Sequence, residues 1–408
     1  MAPRRLDLAR FAGPTAEFAR YLRTETVGGF VLLAATAAAL LWANSPWHGA
    51  YEAVRDLRVG PHALHLDLTL AQWATDGLLA VFFFVVGLEL KRELVIGELS
   101  RPRQALLPVA AALGGMIVPA GVALLVGRGA PGMEQAWAIP VATDIAFALG
   151  VLALAGTALP TTARVFLLGL AVVDDLGAIL LIAVVFSTGI ALLALGAVVV
   201  LAGLYWMLQR RRVTSPWLYV PIALATWVAM HEAGVHATIA GVLLGLLTRV
   251  RADPGESEAP AVRLEHRLQP WSAGLCVPLF ALFAAGVPVN GEALRAVVTE
   301  PLGQAVAAGL ILGKVVGIFG AVLLVVWLTP ASRPRGLSWP DVLAVAMLGG
   351  VGFTVSLLMA ELSLDGADVL TAKAAVLLAS AVAALLAAAL LVLRSRSHRR
   401  AGSRHTDG

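Results

Sequence analysis

Twelve long apolar runs make up most of this 408-residue chain and restrict the folds open to it. A membrane-spanning α-helix needs about 20 consecutive, mostly apolar residues. The chain is 59% hydrophobic and only 14% charged, whereas a soluble domain is about half apolar and about a quarter charged. We therefore predict an all-α polytopic membrane protein. The predicted spans are residues 26–44, 69–97, 103–126, 134–157, 161–186, 189–210, 216–231, 234–250, 271–287, 301–328, 341–362 and 367–394.

The Lys and Arg residues are distributed unevenly between the loops on the two sides of these spans. Short cytoplasmic loops of membrane proteins carry an excess of Lys and Arg. With the N-terminus inside, 24 of the 30 Lys and Arg residues lie on the inner side. This distribution predicts two cytoplasmic termini, with residues 1–25 as a cytoplasmic segment before an uncleaved first helix. Because the basic residues are scattered over many loops, they do not indicate a nucleic-acid partner.

Two segments outside the spans have patterns of their own. In residues 45–68, a Gly60-Pro61 turn separates residues 54–59 from residues 62–68, where apolar and polar residues alternate. Alternation around a turn is typical of a β-hairpin, which we place on the outer face. An isolated hairpin is only marginally stable in water, so we expect it to pair with another element, such as a second subunit. Residues 395–408 are basic, and we predict a disordered cytoplasmic tail.

Four charged residues lie near the middle of predicted spans: Asp144, Asp174, Asp175 and Lys314. Charged side chains inside a membrane are energetically costly, rare and usually functional. Lys314 is the only basic residue so placed, and an unpaired ammonium there is as costly as an unpaired carboxylate. We therefore expect Lys314 to pair with one of the carboxylates.

Helix-breaking residues accompany these charges. Pro140 precedes Thr143 and Asp144 in the fourth span, and Gly349–Gly352 interrupts the eleventh. Interrupted helices at matching places in two halves of a chain point to a transport site. Spans 3–5 and 10–12 run in opposite senses, and the second of each triplet is the interrupted one. This arrangement predicts inverted repeats with two broken helices.

The side chains near these breaks suit a small hard cation. Carboxylate oxygens and the Thr143 hydroxyl are hard ligands, appropriate for Na⁺ or Li⁺, whereas the single Cys276 and the lack of clustered histidines in the spans argue against a transition metal. Burial and neighbouring like charges favour protonated carboxylates, so the same groups can also carry protons. Adjacent helical residues point about 100° apart, so one of Asp174 and Asp175 can face the cation while the other faces Lys314. We predict a cation/proton exchanger without a cofactor.

Several segments of the chain resemble signature segments of the NhaA family of bacterial sodium/proton antiporters, and the resemblance covers nearly the whole length. The segments are Thr143-Asp144-Ile145-Ala146-Phe147-Ala148-Leu149-Gly150, Val173-Asp174-Asp175-Leu176-Gly177-Ala178-Ile179, Gly313-Lys314 with Gly317, Gly350-Val351-Gly352-Phe353-Thr354, Gly87-Leu88-Glu89-Leu90-Lys91-Arg92-Glu93 and Gly234-Val235-His236-Ala237-Thr238.

The resemblance implies twelve helices with inverted repeats, a crossing pair of broken helices, and a homodimer joined partly by the hairpin in a bacterial inner membrane. It implies export of Na⁺ in exchange for protons, while the sequence leaves the acceptance of Li⁺ open. Asp174 and Asp175 would carry the cation and the protons, with Thr143 as a nearby ligand. Asp144 would compensate the half-helix dipoles and Lys314 would pair with Asp174. Asp76 matches an acidic position of the second helix.

The family's cytoplasmic pH-sensing cluster corresponds to Glu89, Lys91, Arg92, Glu93, Arg263, Glu265 and His266. This chain departs from a well-known member at two neighbouring positions, with Val262 in place of a lysine and Gln269 in place of a second histidine. The alternative interpretation of these residues is a set of inner-face charges that fixes membrane topology.

Three other functions fit parts of the pattern. An intramembrane aspartyl protease also needs two carboxylates on neighbouring helices, but would place them in Tyr-Asp and Gly-x-Gly-Asp motifs. A sodium-driven symporter for an organic acid would need more polar side chains near the breaks than Thr143 and its neighbours provide. A buried polar network could also serve only to hold helices together.

Overall fold

The computed structural model describes residues 25–62, 66–187, 189–329 and 336–406, which are mostly helical; residues 1–24 of the predicted N-terminal segment lie outside this part. Two short strands, β1 (Arg58–Val59) and β2 (Leu68–Thr69), complete the fold. The helices are α1 Glu25–Ala43, α2 His48–Arg55, α3 Leu70–Val95, α4 Pro102–Val126, α5 Met133–Ala136, α6 Ile145–Ala155, α7 Thr161–Val185, α8 Leu192–Arg210, α9 Pro216–Glu232, α10 Thr238–Leu247, α11 260–284, α12 Gly291–Thr299, α13 Pro301–Leu328, α14 Trp339–Leu348, α15 Phe353–Ser363 and α16 Gly366–Thr406.

A helix or a pair of helices lies at each of the twelve predicted spans. Within the described residues, seven helices are long and apolar enough to cross a membrane, and nine spans result when two bent pairs are each taken as one. The bent pairs are α1 with α2, at 118°, and α14 with α15, at 44°. At the predicted seventh and eighth spans, α9 has only 17 residues and α10 only 10, which is short for a complete crossing.

Small residues bring α4 and α13 into close contact and so fix the position of Lys314. A side chain on Gly317 would place its first carbon 2.1 Å from the backbone oxygen of Gly114, which no real contact permits. Small residues at such crossings let membrane helices approach closely. A π-helical turn at Gly309–Gly313 directly precedes Lys314 in α13, and such turns occur frequently at functional sites.

Two chain breaks contact each other inside the molecule. The first lies between a short 3₁₀ turn, Ile139–Val141, and the start of α6, and the second separates α14 from α15 at residues 349–352. Ala142 is extended in the first break, where Pro140 has already interrupted the helix. The helices α4, α7, α13 and α16 pack around the point where the two breaks meet. Buried apolar side chains of these helices surround it.

The sheet and the C-terminus differ from the sequence-based expectations. Arg58 pairs with Thr69 and Val59 with Leu68 in a two-stranded antiparallel sheet, which is much shorter than the predicted hairpin. Residues 48–55 are helical instead, because Tyr51 packs inward and donates its hydroxyl to the backbone of Leu282 and Phe283. The last helix continues through residues 395–406, where a disordered tail is expected from the sequence, and its side chains Ser395, His398 and Arg399 have partners on neighbouring segments.

Candidate ion-binding site

Asp144 joins the two chain breaks through its backbone and its side chain. Its amide donates to the carbonyl of Val351 at 2.7 Å. As the cap of α6, its Oδ1 accepts from the amide of Phe147 at 2.9 Å. Its Oδ2 accepts from the Thr354 hydroxyl at 2.8 Å and from the Thr354 amide at 3.2 Å. Because a carboxylate at a helix N-terminus offsets the positive end of the helix dipole, Asp144 stabilises the starts of both α6 and α15.

Asp174, in the middle of α7, forms an ion pair with Lys314. The Lys314 ammonium donates to Asp174 Oδ2 at 2.7 Å, and the two side chains are 0% and 1% exposed. The second carboxylate oxygen, Asp174 Oδ1, is buried without a hydrogen-bond partner among the described residues. Buried polar atoms are nearly always hydrogen-bonded, so an unpartnered carboxylate oxygen needs a specific explanation.

Asp175, the next residue of α7, has a buried unpartnered oxygen as well. Within the part of the chain that the structure describes, its Oδ1 lacks a hydrogen-bond partner although the residue is only 4% exposed. Asp175 lies in the electrostatic field of Asp174, Asp144 and Lys314. One ammonium therefore faces three carboxylates, which leaves an excess of negative charge that a cation or protons can neutralise.

Thr143 contributes a hydroxyl group beside these carboxylates. It donates to the carbonyl of Gly349 at 2.9 Å and lies against Asp174. A hydroxyl that donates one hydrogen bond keeps oxygen lone pairs for another ligand. We refer to Thr143, Asp144, Asp174, Asp175 and Lys314 together as the crossing site. Its unpartnered oxygens are hard ligands of the kind that small monovalent or divalent cations take, and no soft sulfur ligand is among its members.

Comparison with known proteins identifies the family of the chain. Residues 19–391 match the family model described as Na+/H+ antiporter 1. The chain belongs to that family. The Na(+)/H(+) antiporter NhaA 1 of Saccharopolyspora erythraea is 66% identical over 383 residues, which cover 94% of this chain and 93% of that protein. The Na(+)/H(+) antiporter NhaA 2 of Rhodococcus jostii is 61% identical over 388 residues, which cover 94% of each chain. The relative from Nocardia farcinica is 60% identical over 385 residues, covering 94% of this chain and 92% of its own length.

In this member of the Na+/H+ antiporter 1 family, Asp76 lies apart from the crossing site contacts. It is part of a π-helical turn, Trp73–Leu78, within α3, and its carbonyl accepts from the Trp227 indole at 2.8 Å. Its carboxylate faces His231 and Glu361. Glu361, which the sequence analysis did not single out, pairs with Lys373 and accepts from the Thr75 hydroxyl. Asp76 therefore belongs to a second group of charges, at the far end of α15.

Four of the seven residues of the predicted pH-sensing cluster lie together at the end of α3. Arg92 donates to Glu265 at 2.6 Å and lies 3.9 Å from Glu89 and 3.7 Å from Glu93. We call these four residues the Arg92 cluster. Burial raises the pKa of Glu265 above its ordinary value, and the neighbouring Arg92 guanidinium partly offsets that rise. Glu265, which lies before the predicted ninth span, can thus hold a proton to higher pH than an ordinary glutamate.

The other three predicted cluster residues have neighbours outside the Arg92 cluster, although His266 also lies in the electrostatic field of Glu265. His266 lies 3.8 Å from Glu258, and both side chains are about half exposed. Lys91 and Arg263 line two separate grooves, the first beside Arg249 and the second along α3. Arg249 in turn binds Glu256 and holds the pKa of that exposed carboxyl at about 2. The spacing of these residues in the sequence does not reveal these neighbours, because the neighbours depend on the path of the loop after α10.

Two functional contacts were not predicted. Thr354 was noted as part of a glycine-rich motif, but its bond to Asp144 joins residues 210 positions apart and is visible only in the fold. The Asp341 carboxylate is 0% exposed at the start of α14. Its signal in the sequence is a capping box, in which Ser338 and Asp341 bond each other's backbone.

Proposed function

We propose that this chain is a secondary active sodium/proton antiporter that exports Na⁺ in exchange for protons. The observation that carries the proposal is the pair of adjacent buried carboxylates in α7, each with an unpartnered oxygen, at the place where two chain breaks meet. Family membership supports the same activity, since the relatives named above are sodium/proton antiporters by name.

Asp174 and Asp175 bind Na⁺ or protons in this proposal, and Thr143 supplies a further oxygen. With both carboxylates ionised, the site holds more negative charge than Lys314 neutralises, so a cation is attracted. When protons occupy the carboxylates instead, that attraction is lost and Na⁺ leaves. Asp144 keeps the two breaks together, and Lys314 limits the cost of burying Asp174.

Exchange is electrogenic in this proposal because two carboxylates can take up two protons while one Na⁺ replaces them. A membrane potential, negative inside, then drives proton entry and Na⁺ export. Li⁺ has the same charge and also prefers oxygen ligands, so we propose it as an alternative cargo. The resulting physiological role is sodium and pH homeostasis, with the Arg92 cluster contributing to pH regulation and Asp76 contributing to the ion pathway.

The proposed setting is the bacterial inner membrane. All twelve predicted segments cross it, with both termini cytoplasmic, and spans 3–5 and 10–12 form inverted repeats around the two breaks. The bent pair α14 and α15, which contains the second break, supports an interrupted span in the second triplet. Residues 1–408 form one transporter domain in this proposal, and two copies pair through residues 45–68, whose short sheet offers unpaired strand edges.

The decisive experiment uses everted membrane vesicles or proteoliposomes with a pH-sensitive dye trapped inside an acidified lumen. Addition of Na⁺ should restore the dye fluorescence in vesicles that contain the protein, and K⁺ at equal concentration should not. Clamping the membrane potential with K⁺ and valinomycin should change the rate if exchange is electrogenic. Sodium addition with no more proton movement than in protein-free vesicles would exclude the proposed activity.

A further inference from the structure

The end of α14 far from the crossing site holds a buried carboxylate whose partners come from the last helix. Asp341 Oδ1 accepts from the Arg394 guanidinium at 2.8 Å. Asp341 Oδ2 accepts from the Ser338 amide at 2.7 Å and from its hydroxyl at 2.6 Å. His398 Nε2 lies 3.1 Å from the same oxygen and must carry its proton there, because an ionised carboxylate can only accept.

The same turn of α16 also holds the far end of α6. The Ser395 hydroxyl donates to the carbonyl of Ala155, the last residue of α6, at 3.0 Å. In the next turn of α16, Arg399 donates to the hydroxyl of Thr157, two residues beyond the end of α6, at 2.8 Å. The last carbonyls of a helix have no partner within it. A hydroxyl from another helix therefore satisfies one of them and ties the two helices together.

The near ends of these two half-helices meet at the crossing site. α6 begins directly after Asp144, and α14 ends directly before Gly349, whose carbonyl accepts from Thr143. The two helices have only 11 and 10 residues, so each is a stiff rod of about 15 Å at 1.5 Å per residue. A shift or tilt imposed at the far end of such a rod moves the near end as well.

α16 touches the near end too, at the second break, so it contacts this region along its length. The Ser380 hydroxyl accepts from the amide of Phe353, the first residue of α15, at 3.2 Å. A side chain on Gly350 would place its first carbon 3.1 Å from Ala383. The last helix thus contacts the break at one end and the tips of both half-helices at the other.

We propose that Asp341 and its α16 partners Arg394 and Ser395 are positioning residues, which hold α6 and α14 at the separation that the ion site requires. We call these three residues the brace. The inference rests on the proposed function, because the affinity it sets is that of the crossing site for Na⁺. It assigns a transport role to the final helix, which supplies no member of the crossing site.

The brace predicts an affinity effect that a loss of folded protein would not produce. Fewer folded molecules lower the maximal rate and leave the half-maximal Na⁺ concentration unchanged, whereas displaced oxygens weaken Na⁺ binding in every molecule. Arg394→Gln should therefore raise the half-maximal Na⁺ concentration at least fivefold in proteoliposomes. Arg394→Lys, which keeps the charge, should restore most of the affinity.

Arg396→Gln is the matched control, because it removes the same charge from an exposed position two residues further along α16. Its half-maximal Na⁺ concentration should equal that of the wild type. Ser395→Ala is the second test, since it removes only a hydroxyl and leaves the Asp341 pair intact; we expect a two- to threefold increase. Wild-type affinity in both Arg394→Gln and Ser395→Ala would overturn the proposal.

Hydrogen–deuterium exchange separates the brace from the antiport activity itself. In Arg394→Gln, the amides of residues 143–147 and 351–354 should exchange faster, because their bonds across the crossing loosen, and Arg396→Gln should leave them unchanged. Faster exchange in a protein that moves no sodium would support the brace and reject the proposed function. Unchanged exchange together with unchanged affinity would reject the brace and leave the antiport activity standing.

Discussion

The crossing site and the Arg92 cluster each centre on one basic residue facing carboxylates, but they differ in burial. Lys314 lies 2.7 Å from Asp174, and Arg92 lies 2.6 Å from Glu265. The first pair is 0% and 1% exposed, whereas the second is 28% and 13% exposed. Similar distances therefore do not imply similar interaction energies for the two ion pairs, because water and salt screen the Arg92–Glu265 pair much more than the Lys314–Asp174 pair.

The difference in burial predicts distinct roles for the crossing site and the Arg92 cluster. At the buried crossing site, changing one proton or one cation alters the charge balance among Asp144, Asp174, Asp175 and Lys314 strongly, because burial weakens solvent screening. At the Arg92 cluster, which is partly exposed, solvent screens more of such a change, and for comparison an ion pair fully on the surface contributes about 0–1 kcal/mol. We therefore propose that ions bind at the crossing site and that the cluster at most adjusts this binding.

The largest effect should follow removal of either α7 carboxylate. We expect Asp174→Asn and Asp175→Asn each to reduce sodium-dependent proton movement to the level of protein-free vesicles, because an amide can neither carry the exchanged proton nor attract Na⁺ by charge. Both variants should still insert, since asparagine has nearly the same volume, but Asp174→Asn should also melt at a lower temperature because it leaves the Lys314 ammonium buried without its carboxylate. Dye fluorescence in proteoliposomes measures the rate.

Asp365→Asn provides the control, because Asp365 is exposed in the turn before α16. It should retain the wild-type rate. If sodium-dependent dye recovery in Asp174→Asn or Asp175→Asn matched that in Asp365→Asn, the replaced carboxylate would not be part of the transport site. The contrast drawn between the crossing site and the Arg92 cluster would then be wrong.

The second largest effect concerns stability. Lys314→Leu leaves the Asp174 carboxylate buried without its partner, and breaking such a pair costs about 3–5 kcal/mol. The carboxylate can avoid that cost by keeping a proton, which becomes harder as the pH rises. The melting temperature should therefore fall below that of the wild type, and the difference should grow from acid to alkaline pH.

Lys373→Leu tests whether burial of the ion pair causes the loss of stability expected in Lys314→Leu. Lys373 pairs with Glu361, but these side chains are 8% and 22% exposed, so solvent can reach the carboxylate that is left. We expect a smaller loss of melting temperature with weaker pH dependence. Equal losses in the two variants, or a wild-type melting curve for Lys314→Leu at alkaline pH, would contradict the assigned importance of the buried pair.

The sequence accounts for the positions of the helices and for where they break, but not for the contacts that turn these breaks into a site. Gly349–Gly352 interrupts an apolar run, and α14 and α15 do stop and start there. The π-helical turn before Lys314 has no comparable signal, because Gly309–Gly313 is apolar and continues the helical pattern. The bonds from Thr354 to Asp144 and from Arg394 to Asp341 join distant segments, so they require the tertiary fold.

The short helix α2 illustrates the same limit. Residues 48–55 lie next to a Gly-Pro turn with alternating polarity beyond it, which favoured strands. The deciding interaction is the burial of Tyr51 against the ends of α1 and α11, where its ring packs on Trp42. Local propensity is a weak guide for so short a segment, and tertiary packing overrides it.

The third effect is competition between protons and Na⁺ at the crossing site. In the proposed exchange both ions need the same Asp174 and Asp175 oxygens, so the apparent Na⁺ affinity should fall as the pH falls, by up to about tenfold, or about 1.4 kcal/mol, for each competing proton and pH unit. The two groups interact, so the titration belongs to the pair. Rates over a range of Na⁺ concentrations at several pH values measure this. Restoration of the rate by high Na⁺ at moderately acid pH is expected; a constant affinity with a falling maximal rate would point to a separate pH switch.

The smallest effect should come from the Arg92 cluster. Burial raises the pKa of Glu265 from the ordinary 4.5, so the folded protein keeps this proton to higher pH than the unfolded chain does. Stability is then lost as the pH rises from the ordinary value through the raised one, since the folded state binds more protons in that window. Glu265→Gln cannot ionise, so its melting temperature should lack this part of the pH dependence.

The effect of Glu265→Gln on transport follows from the partial exposure of the pair. An interaction of about 0.2–1 kcal/mol corresponds to a change in rate of at most about fivefold. We expect a maximal rate reduced within that range and an unchanged half-maximal Na⁺ concentration, because the neutral glutamine resembles the protonated form and lies outside the crossing site. Glu258→Gln, at the half-exposed partner of His266, should change neither quantity. Loss of the entire pH response in Glu265→Gln would reverse the comparison, because a solvent-screened cluster would then control the buried site rather than adjust it.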